Sequence, residues 1–384
     1  MKRSHFSALR PICPACRAPG RAAPLVVAAI ERSIGEGDDW QDLLEGMLEC
    51  SAADCRREYP VLDGVPLLVA DLSGLLRNSA LHFLFREDLS PRVLSALLDG
   101  AGPDSELERL LRYLSHYAPD HFGDLDPSPC PGTPTTPPIA GLMQAAVAAM
   151  AVPAGPAADL GCGLGRGTFT LANEREGLVL GVDLNLAMLR VASRALREGR
   201  ARYPVRRVGM VYTWREHPVV LPGAERVDFW LADAHNLPFE DQTFGALTSL
   251  NLIDCLGDPA RHLTELDRCL APGGGLALCT PYDWSAQVTG AEGWIGGHSQ
   301  RGADGGASEP RARALFGPPW MPHLQLKAEV HALPWQVRVH DRSTMLYAAH
   351  LLVGVRAPDE STESAEHSVQ HAQDGTRSPG GAAP

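Results

Sequence analysis

The sequence has no long uninterrupted apolar segment. Its most apolar stretch, about residues 139–152, is rich in alanine and contains Gln144. It is shorter than the run of about 18 residues that a membrane-spanning helix needs. The first residues also lack the pattern of a secretory leader, in which a charged start precedes an apolar core and a small-residue cleavage site. We therefore expect a soluble, cytoplasmic protein with no membrane partner.

An excess of positive charge is missing as well. The chain has 46 acidic residues against 34 basic ones, and its formal net charge is −12. An acidic body repels a phosphate backbone, so tight nonspecific binding to nucleic acid is disfavoured. A local basic patch would still allow the protein to bind nucleic acid.

The strongest candidate for such a patch is a group of arginines between positions 190 and 207. They would form either a basic face that contacts phosphates or a solvated helix side followed by an exposed hairpin, and the second interpretation is favoured. The group consists of Arg190, Arg194, Arg197, Arg200, Arg202, Arg206 and Arg207.

The nine cysteines do not have the pattern of a disulfide framework, because their number is odd and most of them are scattered. Four of them form two close pairs near the N-terminus, and two such pairs would present four thiolates to a zinc ion. The predicted ligands are Cys13, Cys16, Cys50 and Cys55. A metal-free hairpin with structural cysteines is the alternative.

The chain has 384 residues, 45% of them hydrophobic, which is enough for one large domain with smaller attachments. From about residue 139, apolar strand-like runs alternate with helical patterns, which predicts an α/β fold with a doubly wound, mostly parallel sheet. Residues 199–225 are predicted to be an inserted hairpin. The expected organisation is a small module at 1–72, a helical linker or cap with a proline-rich connection at 73–138, the main domain at 139–356 and a disordered tail at 357–384.

A glycine loop opens the main domain. DLGCGLGRG, residues 159–167, follows a short apolar run, and Asp183 ends a second apolar run, LVLGVD. Glycines let a ligand approach the backbone closely, and a carboxylate after the second strand accepts hydrogen bonds from a ribose diol. The dinucleotide pattern G-x-G-x-x-G is not completed, because Arg166 stands at its sixth position. The pattern therefore predicts a nucleoside-containing ligand other than a dinucleotide.

Two later segments extend this pattern, LADAHNLPFEDQTFGALTSLN at 231–251 and ELDRCLAPGGGLAL at 265–278. With the glycine loop and Asp183 they resemble, in order and spacing, the class I S-adenosylmethionine-dependent methyltransferases of the type 11-like kind. The resemblance covers about residues 140–281. It implies a Rossmann-like, seven-stranded sheet and S-adenosylmethionine as the cofactor.

The resemblance also implies which residues contact the cofactor. Asp159 would bind the amino end of the methionine portion, and Asp183 would accept hydrogen bonds from both ribose hydroxyls. Asp233 would accept a hydrogen bond from the amino edge of the adenine. The alternative is a purely structural glycine turn with aspartates that cap helices. The full predicted set is Asp159, Gly161, Gly163, Gly165, Asp183, Leu184, Asp233, Ala234 and Asn251.

The acceptor is expected at the carboxyl ends of the fourth and fifth strands of this domain. Asp254 would take a proton from the acceptor or orient it, unless it caps a helix, and Tyr282 would stack on a ring or hold a cation. The glycine-rich segment 281–317 would close over a small molecule.

The cysteine-bearing segment, with YPVLDGVPLLV from Tyr59, resembles the zinc-ribbon-like modules of proteins that activate tRNA and protein methyltransferases. It departs from that family in its second pair, which is C-x4-C in place of C-x2-C. The resemblance implies RNA or protein of the translation machinery as the acceptor, or a protein partner bound through the module. The net charge and the 281–317 segment favour a small-molecule acceptor. A noncatalytic scaffold that keeps the cofactor pocket is the alternative to an enzyme.

Overall fold

The computed structural model of the protein describes residues 1–35, 40–133, 138–150 and 155–358. The predicted disordered tail lies almost wholly outside these residues. In the described part of the chain, no helix has the length and apolar character needed to span a lipid bilayer.

The N-terminal module consists of two short helices and four strands that pair antiparallel in sequence order. Its elements are α1 (Arg3–Leu9), α2 (Pro14–Arg17), β1 (Leu25–Ile34), β2 (Asp42–Cys50), β3 (Glu58–Leu62) and β4 (Val65–Leu68).

A helical segment follows the module, as the leucine spacing predicts. The long helix α6 begins where the side chain of Ser105 accepts a hydrogen bond from the backbone N–H of Glu108. Leu110, Leu114 and Phe122 lie on its buried face. The helices are α3 (Leu72–Asn78), α4 (Ala80–Leu84), α5 (Pro91–Ala101) and α6 (Glu106–Phe122).

The main domain alternates helices and strands and then closes with an antiparallel hairpin. Its first half contains α7 (Pro138–Ala149), β5 (Ala157–Leu160), α8 (Arg166–Glu174), β6 (Val179–Asp183), α9 (Leu186–Glu198), β7 (Arg200–Val208) and β8 (Val211–Pro218). Its second half contains β9 (Val227–Ala232), β10 (Phe244–Leu250), α10 (Pro259–Cys269), β11 (Leu270–Thr280), α11 (Glu309–Arg313), β12 (Leu324–His340) and β13 (Ser343–Arg356).

Seven strands form the main sheet in the order β9-β6-β5-β10-β11-β13-β12. The first five run parallel, β13 runs antiparallel to β11, and β12 runs antiparallel to β13. Apolar clusters cover both faces of this sheet. The predicted doubly wound, mostly parallel seven-stranded fold is therefore confirmed. The predicted hairpin between residues 199 and 225 is confirmed too, since β7 and β8 form a separate two-stranded sheet.

The module is not a separate appendage, which the sequence did not indicate. Strand β4 pairs parallel with β9, with Leu67 opposite Leu231 and Leu68 opposite Ala232. The main sheet thereby grows to 11 strands. An uncovered β9 would leave a row of unpaired backbone groups at the sheet edge. Strand β4 pairs with the last two residues of β9 and so covers this part of the edge from within the same chain.

Buried charges strengthen this junction. The guanidinium of Arg197 on α9 contacts the Asp42 carboxylate at 2.8 and 2.9 Å and the Asp228 carboxylate at 3.3 Å. Asp42 belongs to β2 of the module, and Asp228 belongs to β9 with a fully buried side chain. One arginine therefore neutralises carboxylates on both sides of the junction.

Replacing Arg197 by leucine is expected to lower the free energy of unfolding by about 3 kcal/mol, because Asp228 stays buried without its guanidinium partner. The measurement is urea unfolding. Arg200→Leu is the control, since Arg200 pairs with Glu216 on the exposed hairpin and its loss should cost less than about 1 kcal/mol. Equal losses in the two variants would refute the assigned role of the buried network.

Candidate active site

A cavity of about 640 Å³ opens at the carboxyl ends of β5, β6, β9 and β10. Parallel α/β sheets bind ligands at this edge because the strand-to-helix loops converge there. One side of the cavity is formed by these loops. The opposite side is formed by the helical segment, mainly by α6, together with α7 and Trp335 of β12.

The glycine loop after β5 needs glycine for more than one reason. Gly161, Gly163 and Gly165 all have positive φ, at 73°, 54° and 88°. A Cβ on Gly165 would lie 2.6 Å from the Phe229 ring, so this glycine serves core packing, and it does not line the cavity. Gly161 and Gly163 do line it. The predicted loop residues thus divide into two that face the cavity and one that lets the loop pack on the sheet.

Asp183 lies at the end of β6 and lines the cavity. Its Oδ2 accepts from the backbone N–H of Gly163 at 2.8 Å, and its Oδ1 accepts from the backbone N–H of Asn185 at 2.8 Å. Helix α9 is capped by Asn185, so Asp183 is not the helix cap. Burial raises the pKa of Asp183, although these backbone bonds oppose the shift. Each carboxylate oxygen keeps a further lone pair for a ligand hydroxyl.

Asp159 lies under the loop and is 3% exposed. Its Oδ2 accepts from the Thr168 hydroxyl and its Oδ1 from the Thr248 hydroxyl, each at 2.8 Å. The N-cap of α8 is Gly165, so Asp159 does not cap that helix either. Burial raises the pKa of Asp159 to about 6. Its main structural contact is therefore to the two threonines that hold β5, β10 and α8 together.

The predicted adenine side contains Asp233, Ala234 and Leu184, and all three line the cavity. Asp233 Oδ1 accepts from the backbone N–H and contacts the ring Nδ1 of His235, at 2.9 and 2.7 Å. Burial alone would raise the pKa of Asp233, but the contacts with His235 hold it below its usual value. Leu184 is 47% exposed and offers an apolar surface to a flat ring.

Asn251 follows β10 with a positive φ of 53° and lines the cavity. Its amide oxygen and nitrogen are both buried, and neither has a hydrogen-bond partner within the described residues. A buried amide without partners is costly unless a ligand or water satisfies it. This orphaned group therefore fits a polar ligand that enters the cavity.

The two residues predicted to be catalytic do not line the cavity. Asp254 is 2% exposed, and its Oδ2 accepts from the backbone N–H of Asp283 at 2.8 Å. The hydroxyl of Tyr282 lies 2.5 Å from Nδ1 of His350, on the closing hairpin. In this region the cavity is lined by Leu252, Leu256, Gly257 and Cys255, the last of which is next to Asp254 in the chain. The structure thus offers neither predicted side chain direct access to a ligand.

Helix α6 contributes residues that the sequence analysis did not single out. Tyr113, Tyr117, Asp120 and His121 all line the cavity, as does Trp335. The helical spacing could have indicated these residues. Tyr113, Tyr117 and His121 follow one another at intervals of four residues, so they continue a helix face that begins with apolar positions of α6. A polar residue on an otherwise apolar helix face is the hint that sequence reasoning could have used.

Asp120 of α6 is 1% exposed and is held by α7 and the closing hairpin together. Its Oδ1 accepts from the backbone N–H of Ile139 at 3.0 Å, and its Oδ2 accepts from the indole N–H of Trp335 at 2.9 Å. Burial raises the pKa of Asp120 to about 7. This carboxyl group therefore exchanges a proton near neutral pH.

His121 stands over the glycine loop, where its Nε2 is 3.4 Å from the position of a Cβ on Gly163. Its Nδ1 accepts from the backbone N–H of Arg166 at 3.1 Å, and burial lowers its pKa to about 3. The ring is therefore neutral at physiological pH, and the accepted bond assigns its proton to Nε2. That N–H is directed at the glycine loop.

The four N-terminal cysteines are brought together outside the cavity, with their sulfur atoms within 4.8 Å of one another. The sulfur atoms of Cys13 and Cys55 are 3.9 Å apart, and those of Cys16 and Cys50 are 3.8 Å apart. Zn–S bonds of about 2.3 Å in a tetrahedron separate sulfur atoms by about 3.8 Å, so the spacing fits zinc. The longer C-x4-C loop therefore still brings all four thiols to one point.

Comparisons with known proteins agree with this geometry. Residues 158–278 match the family model described as a methyltransferase domain. Over 59 residues the chain is 42% identical to a demethylmenaquinone methyltransferase of Clavibacter sepedonicus, covering 15% of this chain and 24% of the relative. Over 120 residues it is 30% identical to methyltransferase GfsG of Streptomyces halstedii, covering 31% and 35%.

Among solved structures, one described as "Conversion of a Disulfide Bond into a Thioacetal Group during Echinomycin Biosynthesis" is similar with a TM-score of 0.39 and 17% identity. The match covers 61% of this chain and 87% of that one. The chain spans only 24% and 35% of the two curated relatives named above.

Residues 158–278 form a methyltransferase domain, and this domain belongs to the class I S-adenosylmethionine-dependent methyltransferases. S-adenosylmethionine is the cofactor that this class implies. The predicted family is confirmed, whereas the comparisons do not identify the methyl acceptor.

The burial of Asp159 leads to a pH-dependent prediction. Its pKa is about 6 in the folded protein and about 4 in an unfolded chain, so the unfolded state loses this proton first as the pH rises. Wild-type protein should therefore lose up to about 3 kcal/mol relative to Asp159→Asn between about pH 4 and pH 6.

The measurement is urea unfolding of both proteins at pH 4, 5, 6 and 7. The free energy of unfolding of the wild type, relative to that of Asp159→Asn, should fall up to about pH 6 and then stay level. Asp241→Asn is the control, because the Asp241 side chain is 73% exposed. A difference between wild type and Asp159→Asn that does not change with pH would contradict the prediction.

Proposed function

We propose that the protein transfers the methyl group of S-adenosylmethionine to a small, largely apolar acceptor held inside the cavity. The observation that carries this proposal is the composition of the cavity wall. Its sheet side presents the glycine loop, Asp183 and Asn251, while its helical side presents tyrosines and apolar residues with polar groups such as Glu106 and Arg109 among them. One side thus suits a nucleoside with an amino-acid tail, and the other suits a largely nonpolar molecule that carries some polar groups.

The cofactor-binding residues act by position. The Asp183 carboxylate would accept hydrogen bonds from both ribose hydroxyls, while the bonds from Gly163 and Asn185 hold it in place. The orphaned amide of Asn251 would bind a polar group of the methionine portion. The Nε2–H of His121, beside the glycine loop in the cavity wall, would be available to the cofactor carboxylate. When bound, S-adenosylmethionine supplies an activated methyl group on a sulfonium, so the protein needs only to orient the acceptor, exclude water and remove a proton.

The acceptor side is formed by Tyr113, Tyr117, Leu110, Met143 and Trp335. Aromatic and aliphatic side chains stabilise a ring-bearing or otherwise nonpolar molecule by burying its surface. Asp120 lies on the same wall with a pKa of about 7 and takes the proton from a hydroxyl or an amine of the acceptor.

The arginine group supports a small acceptor over RNA. Six of its seven members pair with carboxylates, and the seventh, Arg206, donates a hydrogen bond to the Gly209 carbonyl. Phosphate contacts need free cationic side chains on a common face. The pairs are Arg190–Asp63, Arg194–Glu87, Arg197–Asp42, Arg200–Glu216, Arg202–Glu216 and Arg207–Asp341.

The cover of the cavity also supports a small acceptor. Helices α3, α4 and α6 supply most of the cover, whereas the 281–317 segment, expected in this place, contributes Val288. We therefore assign the capping role to residues 73–125 within the predicted linker. A macromolecule would have to displace this packed segment to reach the cofactor.

We infer that the N-terminal module acts on the methyltransferase domain of its own chain. Besides the β4–β9 pairing, Arg17 contacts Glu265 at 2.7 Å, and the side-chain amide of Asn236 donates to the Pro14 carbonyl at 3.0 Å. Zinc on the four cysteines would fix α2 and the loop after β2, and thereby the surface that makes these contacts. The predicted division at residues 72 and 138 thus separates a stabilising module, a cap and a catalytic domain.

Asp183→Ala is expected to weaken S-adenosylmethionine binding by more than tenfold, because hydrogen bonds from two ribose hydroxyls to a carboxylate are lost. Titration calorimetry measures this directly. Asp241→Ala serves as the control, since Asp241 lies far along the chain from the loop and is well exposed. An unchanged affinity in Asp183→Ala would refute the assignment of the ribose site.

The acceptor class is tested by supplying the protein with S-adenosylmethionine carrying a tritiated methyl group and a fractionated extract of the source cells. We expect label in the fraction of small, solvent-extractable molecules, and we expect it to disappear with Asp183→Ala. Label in RNA or protein would overturn the small-molecule assignment. Normal cofactor binding with no label in any fraction would favour the noncatalytic scaffold.

A further inference from the structure

We propose that Glu329, His331 and His350 form a second metal site, which binds a zinc-type divalent cation on the closing hairpin. The three side chains each offer a ligand atom, and these atoms lie within 4.8 Å of one another. The site is separate from the four cysteines and from the cavity. It therefore stands independently of the proposed methyl transfer.

A bulge in the hairpin creates this cluster. Val330 of β12 pairs with Leu351 of β13, but the next pair joins Leu333 to Ala349. Two residues of β12, one of them His331, thus face a single residue of β13, which is His350. Bulges of this kind redirect side chains and are common at functional sites. Here the result is that the rings of His331 and His350 lie nearly parallel, with centroids 5.2 Å apart.

The distances are those of ligands around a small cation. Glu329 Oε1 is 2.7 Å from Nε2 of His350 and 3.6 Å from Nδ1 of His331. Zinc bonds of about 2.0 Å in a tetrahedron separate ligand atoms by about 3.3 Å, so an ion needs only small side-chain shifts. One water molecule completes the fourth position.

The outer contacts also suit a metal ligand. A metal-bound histidine usually donates its second ring N–H to a neighbouring acceptor. The hydroxyl oxygen of Tyr282 lies 2.5 Å from Nδ1 of His350 and fills this role. On metal binding the proton of His350 moves from Nε2 to Nδ1, and Tyr282 changes from hydrogen-bond donor to acceptor. The imidazole stays neutral throughout.

The surrounding charges select the type of cation. The Nε of Arg313 contacts both oxygens of Glu329 at 2.8 and 2.9 Å, so part of the carboxylate charge is already compensated. Affinity then depends mainly on the two imidazoles, which favour zinc, copper, nickel and cobalt over magnesium or calcium. His350 has a side chain that is 2% exposed, whereas His331 is 62% exposed and gives an ion access from solvent.

The proposed role of the ion is structural. It links β12 to β13 and, through the Tyr282–His350 contact, to the segment that follows β11. Asp283 in that segment donates its backbone N–H to Asp254, which is next to the cavity residue Cys255. The ion would thus hold the hairpin and the strand-end loop in one arrangement.

The test is zinc stoichiometry of the full chain, measured by elemental analysis after equilibration with micromolar zinc and removal of excess metal. His331→Asn should bind one zinc fewer per chain than wild type, and Cys13→Ser combined with Cys16→Ser should leave this second zinc in place. His298→Asn is the matched control, an exposed histidine outside the cluster that should leave the stoichiometry unchanged. Cobalt distinguishes the sites, since only the cysteine site gives thiolate charge-transfer absorption.

Titration of the cysteine double variant with zinc gives the affinity of the hairpin site alone. His331→Asn in that background should weaken it at least tenfold, and Glu329→Gln should weaken it as well. Equal zinc content in wild type and His331→Asn would overturn the proposal. So would a cysteine double variant that binds no zinc while circular dichroism shows it folded. Neither outcome depends on methyl transfer, so the proposed function is judged separately.

Discussion

The structure depends on one buried carboxylate. Asp159 is the third of four residues in β5 and is held by hydroxyls from α8 and β10, so a carboxyl group with almost no solvent contact joins three elements of the main domain. Burying such a group is costly unless its hydrogen bonds are satisfied. Here two threonine hydroxyls satisfy them, and the glycine loop that follows Asp159 is held further by the bond from the Gly163 N–H to Asp183. The cavity edge is built on that contact.

The need to satisfy buried polar and charged groups also explains how the module joins the main sheet. Strand β4 covers the open edge of β9, and Arg197 compensates carboxylates on both sides of the junction. The same helix and the following hairpin use most of their remaining arginines in further ion pairs. These arginines therefore hold parts of the protein together, which leaves little free positive charge on this face for a nucleic acid.

The sheet and the sheet side of the cavity could be predicted because their signals are local. A glycine loop followed by a strand that ends in Asp183 needs few residues to be recognisable, and parallel strands must end at a common edge. The alternation of strands and helices likewise gave the main fold. Asp254 and Tyr282 are predicted from their places after the fourth and fifth strands of this domain, but side-chain direction is not a local property. Asp254 points to the backbone of Asp283, and Tyr282 points to His350.

The amino-acid sequence by itself determined the class of the domain, the sheet side of the cavity and the four cysteines that come together. Those features follow from spacing along short segments. Only the tertiary structure decided that β4 extends the main sheet, that α6 brings Tyr113, Asp120 and His121 to the cavity, and that a bulge sets His331 beside His350. These contacts join residues far apart in the chain. They depend on packing and strand register, which no local pattern encodes.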